Sequence, residues 1–171
     1  MNKARRAALR AALALSSAVT PVALAQGRRG RASEGAPRPN SPEERRILDV
    51  LADVYRNHRY LSVPGEDGRL LRVLADSVGA KHAVEIGTST GYSGLWLLLG
   101  LSKTGGRLTT FEIDRERHAL ARANFERAGV AQSATAVLGD AHAEVAKLKD
   151  PIDLGFIDAD NDPPDNGAPY Y

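Results

Sequence analysis

The sequence predicts an α/β fold in which helices wind on both faces of a mostly parallel sheet. Short apolar segments alternate with helical ones between residues 82 and 157, which is the pattern of successive strand–helix units. A glycine-bearing turn follows the first of these segments, and the last one, 152–157, is apolar on both faces, as a central strand would be. The chain of 171 residues has no cysteine, which excludes a disulfide framework and thiolate metal sites.

Two helices are expected ahead of the sheet. Ser41 can cap the first, Pro42 suits its first position, and Glu44 stands where a capping box needs an acid. The second helix is predicted over 67–78 and ends at Gly79. Its expected apolar stripe consists of Leu70, Leu71, Val73 and Leu74.

The rest of the domain alternates between strands and helices. Strands are predicted at 82–86, 107–112, 134–138 and 152–157, and helices at 92–101, 115–128 and 142–148. Trp96 and the leucines around it are expected in the core rather than in a substrate pocket. The helix over 115–128 is expected to bury Leu120, Ala121, Ala123 and Phe125.

The N-terminal region has a different composition. Residues 1–40 hold eight Lys or Arg and one acid, whereas 41–171 hold 15 basic and 20 acidic residues. The folded part is therefore mildly acidic, which argues against a nucleic-acid partner.

Residues 1–25 have the pattern of a secretory signal peptide. A basic start precedes the uncharged run 11–25, which is too short for a stable membrane span and closes on Ala-Leu-Ala. We expect export to the periplasm; an organellar transit peptide and twin-arginine export stay open, and an uncleaved chain would be cytoplasmic. The Gly, Pro, Arg and Ser of residues 26–40 predict a disordered linker.

The turn after the first strand is the most informative segment. Gly87 and Gly91 bracket it, so the backbone can approach a ligand closely beside the N-terminus of the next helix. The spacing G-x-x-x-G is neither a P-loop nor the dinucleotide fingerprint, which disfavours a nicotinamide-dependent reductase. An ordinary turn is the alternative interpretation.

Acidic residues end the other three strands. Glu112 follows the second strand, where a carboxylate can accept hydrogen bonds from both ribose hydroxyls. Asp140 follows the third, where an adenine edge would lie, and Asp158 follows the fourth, at the edge of the sheet where ligands gather. Glu112 could instead be a solvated loop acid, and Asp158 could be a strand-end residue with a conformational role only. Residues 158–160 also mimic the D-x-D motif of glycosyltransferases, with nothing else in support.

Four motifs together resemble the catechol/caffeoyl-CoA family of class I S-adenosylmethionine-dependent O-methyltransferases, most of all its bacterial members. They are VEIGTSTGYSGLWLL, LTTFEIDRERHALARANFERAGV, LGDA and IDLGFIDAD, in family order and spacing over about residues 60–160. The resemblance implies a Rossmann-like fold, with about four of the usual seven strands present. Residues 41–160 would then form the cofactor-binding part of a methyltransferase domain.

The resemblance also implies a cofactor, S-adenosylmethionine, and the residues that bind it. Glu112 would hold the ribose, and Asp140 and Ala141 would flank the adenine, with His142 as a further candidate. Residues at the methionine end or touching the cofactor nearby would be Val63, Glu85, Gly87, Tyr92 and Ser93.

The resemblance implies two roles for Asp158. It would contact the cofactor side and ligate a divalent cation, with Mg²⁺ expected, which lowers the pKa of a bound hydroxyl. Asp158 is thus the predicted catalytic residue. The implied acceptor is a small hydroxylated, aromatic molecule, and a homodimer is kept open.

The chain departs from the family after Asp160. Bacterial relatives have a lysine base where this chain has Asn161, whose amide cannot take a proton at neutral pH. The tail 161–171 diverges, and its Asp165-Asn166 imitates the family's remaining metal ligands in letters only. A truncated or frameshifted gene is the preferred interpretation, so a non-catalytic S-adenosylmethionine-binding remnant is the alternative function. An open fourth strand with uncovered apolar faces would make the chain marginally stable or aggregation-prone.

Overall fold

The computed structural model describes residues 37–58, 60 and 62–159. The predicted signal peptide, the linker before Pro37 and the tail from Asp160 lie outside these residues. In the described part, no helix has the length and apolarity needed to cross a membrane.

Helices and strands alternate along the described residues as the sequence predicts. The helices are α1 Pro42–Asn57, α2 Gly65–Ser77, α3 Tyr92–Thr104, α4 Arg115–Ala128 and α5 Ala141–Val145, with a 3₁₀ turn at Ala131–Ser133. The strands are β1 His82–Ile86, β2 Arg107–Glu112, β3 Ala134–Leu138 and β4 Leu154–Ile157.

The four strands form one parallel sheet in the order β3-β2-β1-β4. Val84 of β1 lies opposite Thr109 of β2 on one side and Gly155 of β4 on the other. Along the chain, β2 and β3 are added on one side of β1, and β4 is then added on the other side of β1. The direction in which strands are added therefore reverses next to β1. A parallel sheet with a helix in each crossover confirms the predicted α/β architecture. By the usual right-handed rule, α3 and α4 belong to one face of this sheet and α5 to the other. Ligands bind at such a switch point.

Most predicted boundaries match the structure, and four elements differ. α2 spans Gly65–Ser77 rather than 67–78. α3 continues to Thr104 because the residue that ends it is Gly105, whose φ of +67° is left-handed. α5 is shorter than the predicted 142–148. β4 begins two residues late. At Asp153 the N–H donates to the His82 carbonyl at 2.9 Å, while the carboxylate accepts the backbone N–H groups of Lys81 and His82 at 2.8 and 2.9 Å.

The cap of α1 is half of the predicted capping box. Ser41 Oγ accepts the Glu44 N–H at 3.1 Å, as expected. The Glu44 carboxylate, however, accepts the N–H of Asn40 rather than that of Ser41, and it is buried between the cations of Arg72 and Lys103. Its ion pairs tie α1 to α2 and α3.

The predicted apolar stripe of α2 is wrong except at Leu71. Leu70, Val73 and Leu74 are exposed, and the buried residues are Gly68, Leu71 and Ala75. The small residues face α3 because the two helices approach closely. A Cβ at Gly68 would lie 2.3 Å from the Trp96 ring.

The core lies between the sheet and α1 to α4. Every residue of α3 from Tyr92 to Leu101 is buried, which confirms the expected core position of Trp96 and its leucine neighbours. In α4, Ala121 and Phe125 are buried as predicted, but Leu120 is only half-buried and Ala123 is exposed.

β4 does not have the predicted central position among the described strands. It pairs with β1 alone, and Ile157 is 64% exposed. Leu154 and Phe156 pack against the core cluster, whereas Ile157 belongs to the opposite face. The described sheet therefore ends in an unpaired edge strand with an uncovered apolar side chain.

Candidate functional site

The turn between β1 and α3 has an unusual backbone. Gly87, Ser89 and Gly91 all have positive φ values, of +97°, +48° and +82°. The N–H groups of Gly87 and Thr88 both donate to the Phe111 carbonyl, at 3.0 and 3.1 Å. We call residues 87–91 the glycine turn; it is anchored on the end of β2.

The glycine turn also touches the end of β4. The Asp158 N–H donates to the Ile86 carbonyl at 2.9 Å, and a Cβ at Gly87 would lie 2.3 Å from the Asp158 carbonyl oxygen. Because no side chain fits between them, the two strand ends meet directly. Asp158 is thus brought to the glycine turn, as the sequence predicts.

Glu112 joins the same cluster through its side chain. The carboxylate is only 6% exposed; Oε2 accepts the Ser89 N–H at 2.7 Å, and Oε1 accepts the Asp114 N–H at 2.9 Å. Each carboxylate oxygen has a second lone pair, so both remain able to accept a ligand hydroxyl. The glycine turn and the acid of β2 therefore border one shared site.

Asp140 and Ala141 lie next to this acid. The Gly139 N–H donates to the Glu112 carbonyl at 2.9 Å, which places the start of α5 beside the end of β2. Asp140 is exposed and caps α5 by accepting the His142 N–H at 2.9 Å. The hydrogen bonds from His142 hold the pKa of Asp140 below its ordinary value.

Val63 and Tyr92 form the other flank. Both are buried, and the Tyr92 ring lies against Tyr55 at 5.8 Å and Trp96 at 6.3 Å between centroids. The Tyr92 hydroxyl lies 3.7 Å from the position a Cβ would take at Gly65. The segment after Val63 thus contacts the start of α3, where Ser93 is also buried.

Glu85 lies beneath the glycine turn, with its side chain wholly inside the core. Its Oε2 accepts the Thr110 hydroxyl at 2.6 Å and would lie 3.2 Å from a Cβ at Gly94. Burial raises the pKa of Glu85 to about 7, against the lowering effect of the Ser93 and Thr110 hydroxyls. Below pH 7 the carboxyl group is mostly protonated, which avoids the cost of an isolated buried charge.

Asp158 is exposed at the end of β4. Partial burial, followed by the negative charge of Asp67 in the first turn of α2, raises its pKa. Within the ranges described, no group of three or more His, Cys, Asp or Glu could hold a metal ion. The described residues therefore do not form the expected cation site, and Asn161, Asp165 and Asn166 lie outside them.

Three functional candidates have no clear signal in the sequence. Thr88 and Thr110 form a buried hydroxyl pair under the glycine turn, and Asn124 of α4 donates its side-chain N–H to the Thr90 carbonyl at 2.9 Å. These contacts join residues 22 or 34 positions apart. Only the register of β1 against β2 and the packing of α4 reveal them.

The sequence model of a family described as O-methyltransferase matches residues 39–170. This chain belongs to the O-methyltransferase family. The match includes every element that borders the site, from the α1 cap to Asp158.

Known members of the family are similar to it in sequence and in structure. A catechol O-methyltransferase of Mycobacterium tuberculosis is 38% identical over 103 residues, which are 60% of this chain and 46% of that protein. A Bacillus cereus O-methyltransferase solved in complex with SAH is 33% identical with a TM-score of 0.57, over 72% of this chain and 56% of that one. An O-methyltransferase of Streptomyces achromogenes involved in tomaymycin synthesis, solved with SAM, is 28% identical with a TM-score of 0.63, over 77% and 59%. The chain spans about half the length of the curated relatives it matches.

Proposed function

We propose that this chain binds S-adenosylmethionine where β1 and β2 end, as the cofactor-binding part of an O-methyltransferase for small hydroxylated, aromatic acceptors. One observation carries the proposal: the hydrogen bond of 2.7 Å from Ser89 N–H to Glu112 Oε2. It joins the glycine turn to the acid suited to a ribose, so a nucleoside can contact both at once.

The residues around this bond fit the cofactor. Glu112 would hold the ribose hydroxyls, Asp140 and Ala141 would border the adenine, and Tyr92 and Ser93 would border the methionine end. Ser89 Oγ and Thr90 Oγ1 are buried without a hydrogen-bond partner among the described residues. Such orphaned hydroxyls are uncommon in folded proteins, and here they cluster in the glycine turn.

The cofactor would supply an activated methyl group on a sulfonium sulfur, and the chain's task is to orient it. Alignment of two reacting groups contributes roughly 7–11 kcal/mol in favourable cases. The rigid turn and the buried Glu112 are suited to that role. The relatives named above support both halves of the proposal: two solved relatives hold SAH or SAM, and a curated one is a catechol O-methyltransferase.

The proposal gives a divalent cation no role in methyl transfer. Asp158 adjoins the glycine turn through its backbone, but the described residues supply no complete set of oxygen ligands around it. Asp158 is therefore proposed only as a residue on the cofactor side.

A second candidate function is cofactor binding without catalysis. Asn161 stands where the bacterial relatives place a lysine base, and an amide cannot take its proton. Two assays separate the candidates. Calorimetric titration with S-adenosylhomocysteine (SAH) measures binding, and a catechol panel with and without Mg²⁺ measures methyl transfer. Binding with turnover supports the enzyme, binding without turnover supports the second candidate, and no binding by the folded chain contradicts both.

The loss of the lysine can be tested in the same assay. Asn161→Lys, joined to the C-terminal part of a family member, is expected to restore turnover if the cofactor site is intact. A chimera that binds SAH yet transfers no methyl group would contradict the enzyme proposal. Export stays a separate proposal, based on residues 1–25 alone. N-terminal sequencing of the secreted chain tests it, and a mature N-terminus at Gln26 is expected.

A further inference from the structure

A chain of three buried side chains lies directly beneath the glycine turn. Thr110 Oγ1 donates to Glu85 Oε2 at 2.6 Å, and the Thr88 and Thr110 hydroxyl oxygens are 2.5 Å apart. The three side chains, all wholly buried, therefore form one hydrogen-bonded chain with Thr110 in the middle. We call this chain the relay.

Thr88 is the residue through which the glycine turn is hydrogen-bonded to β2. Its N–H donates to the Phe111 carbonyl at 3.1 Å, and its own carbonyl accepts the Gly91 N–H at 2.8 Å. Its side chain adds a third fixed point, on β2. A residue held at its N–H, its carbonyl and its side chain has little freedom to rotate.

Thr88, which these bonds fix, is followed by Ser89, whose backbone conformation is strained. Ser89 has φ of +48°, a left-handed conformation that costs a residue with a side chain roughly 1–2 kcal/mol. In that conformation its N–H reaches Glu112 Oε2 at 2.7 Å. If Thr88 were free to rotate, Ser89 could relax to a negative φ, and its N–H would turn away from Glu112.

We infer that Thr110, acting through Thr88, is a positioning residue of the cofactor site: it holds the glycine turn so that Ser89 and Glu112 together present one nucleoside-binding surface. This inference rests on the function proposed above. Neither threonine reaches the site surface, so both act through the turn rather than by touching the ligand.

The neighbouring Thr109 provides a matched control. It is on the same strand, is also buried, and its hydroxyl makes one side-chain hydrogen bond, to His82 Nε2 at 2.9 Å. Because successive side chains of a strand point to opposite faces, this bond lies on the other side of the sheet from the glycine turn. Thr109→Val and Thr110→Val remove the same group from the same strand, and only the second affects the relay.

Calorimetric titration with SAH, alongside a thermal melt, is the test. Thr110→Val leaves the Thr88 hydroxyl without its side-chain partner and is expected to weaken SAH binding about tenfold, whereas Thr109→Val keeps the wild-type affinity despite a comparable loss of Tm. Thr110→Ser retains the hydroxyl and is expected to restore the affinity. Hydrogen exchange of the Ser89 amide should accelerate in Thr110→Val alone.

Each outcome decides the inference. Wild-type affinity in Thr110→Val, or equal weakening by Thr109→Val, overturns it while the proposed function stands. A folded wild-type chain that does not bind SAH removes the proposed function and this inference together. If Thr110→Val does not melt cooperatively, Thr88→Ala breaks the relay at its other end; unchanged SAH affinity in that variant would overturn the inference equally.

Discussion

Gly87 and the backbone of Asp158 are in such close contact that a methyl group on Gly87 would lie 2.3 Å from the Asp158 carbonyl oxygen. Real Cβ atoms essentially never approach another atom that closely. The contact joins the ends of β1 and β4, the strands that flank the reversal of strand order. A glycine is needed there for its size and also for its φ of +97°.

Gly87→Ala is therefore expected to abolish SAH binding and to lower Tm strongly, because it combines a clash with backbone atoms and a φ that disfavours any side chain. Gly105→Ala is the matched control. Gly105 also has a positive φ, of +67°, but a Cβ there meets nothing within 4 Å. The control should cost roughly 1–2 kcal/mol of stability and leave SAH affinity unchanged. Equal affinity loss in the two variants would argue against a specific Gly87–Asp158 contact.

Glu85 makes stability depend on pH. The pKa of Glu85 is about 7 in the folded chain against an ordinary 4.5, so between these values the folded state keeps a proton that the unfolded state has lost. The free energy of unfolding should then fall by about 3 kcal/mol as pH rises from 4.5 to 7, and level off above. Carboxyl groups with lowered pKa values, such as Glu44 and Asp153, stabilise the fold throughout this range, and their contribution is lost only at more acidic pH.

Urea unfolding at a series of pH values measures this slope. Glu85→Gln cannot ionise and is expected to flatten the decline between pH 4.5 and 7, except for the smaller contribution of Asp158, whose pKa is also raised. A wild-type chain whose stability rises over that range would contradict a protonated Glu85.

Glu112→Gln tests the ribose acid. Its amide nitrogen cannot accept a hydrogen bond, so one of the two backbone donors, Ser89 or Asp114, loses its acceptor. We expect a loss of about 1–3 kcal/mol in stability and at least tenfold weaker SAH binding. Glu116→Gln, at an exposed acid in the first turn of α4, is the control and should bind SAH as the wild type does. A titration that cannot distinguish Glu112→Gln from this control would remove Glu112 from the site.

The open face of β4 predicts self-association. Ile157 is 64% exposed on β4, the edge of the sheet that the described residues form, and such edges pair with other chains. Ile157→Lys should reduce concentration-dependent light scattering. Ile113→Lys is the control, since Ile113 is 63% exposed but follows β2 in a bend rather than lying on the sheet edge. Equal improvement by both substitutions would show that added charge, rather than the strand edge, is responsible.

Most of the fold could be predicted from the sequence because the residues that end its helices act locally. Gly79, Gly105 and Gly129 end helices in left-handed conformations, so the starts of the next elements are well marked. The stripe of α2 was mispredicted because hydrophobicity favoured its leucines, whereas close packing against α3 selected Gly68 and Ala75.

The proximity of two candidate residues could also be predicted. Glu112 and Asp158 were expected to lie close together because the ends of parallel strands share one edge of the sheet, and the structure brings both to the glycine turn. The relay of Thr88 and Thr110 could not be predicted, because it depends on which residues of β1 and β2 lie side by side beneath the turn. The same limit applied to Asn124, whose partner is set by how α4 packs.

The proposed binding of a nucleoside cofactor where β1 and β2 end can be observed in solution. We suggest following the backbone amide chemical shifts of the ¹⁵N-labelled chain during titration with SAH. We expect saturable shifts at Ser89, Gly91, Ile113 and Gly139, with residues near Pro42 and Gly129 unchanged. Shifts confined to other regions, or none in a chain that melts cooperatively, would contradict it.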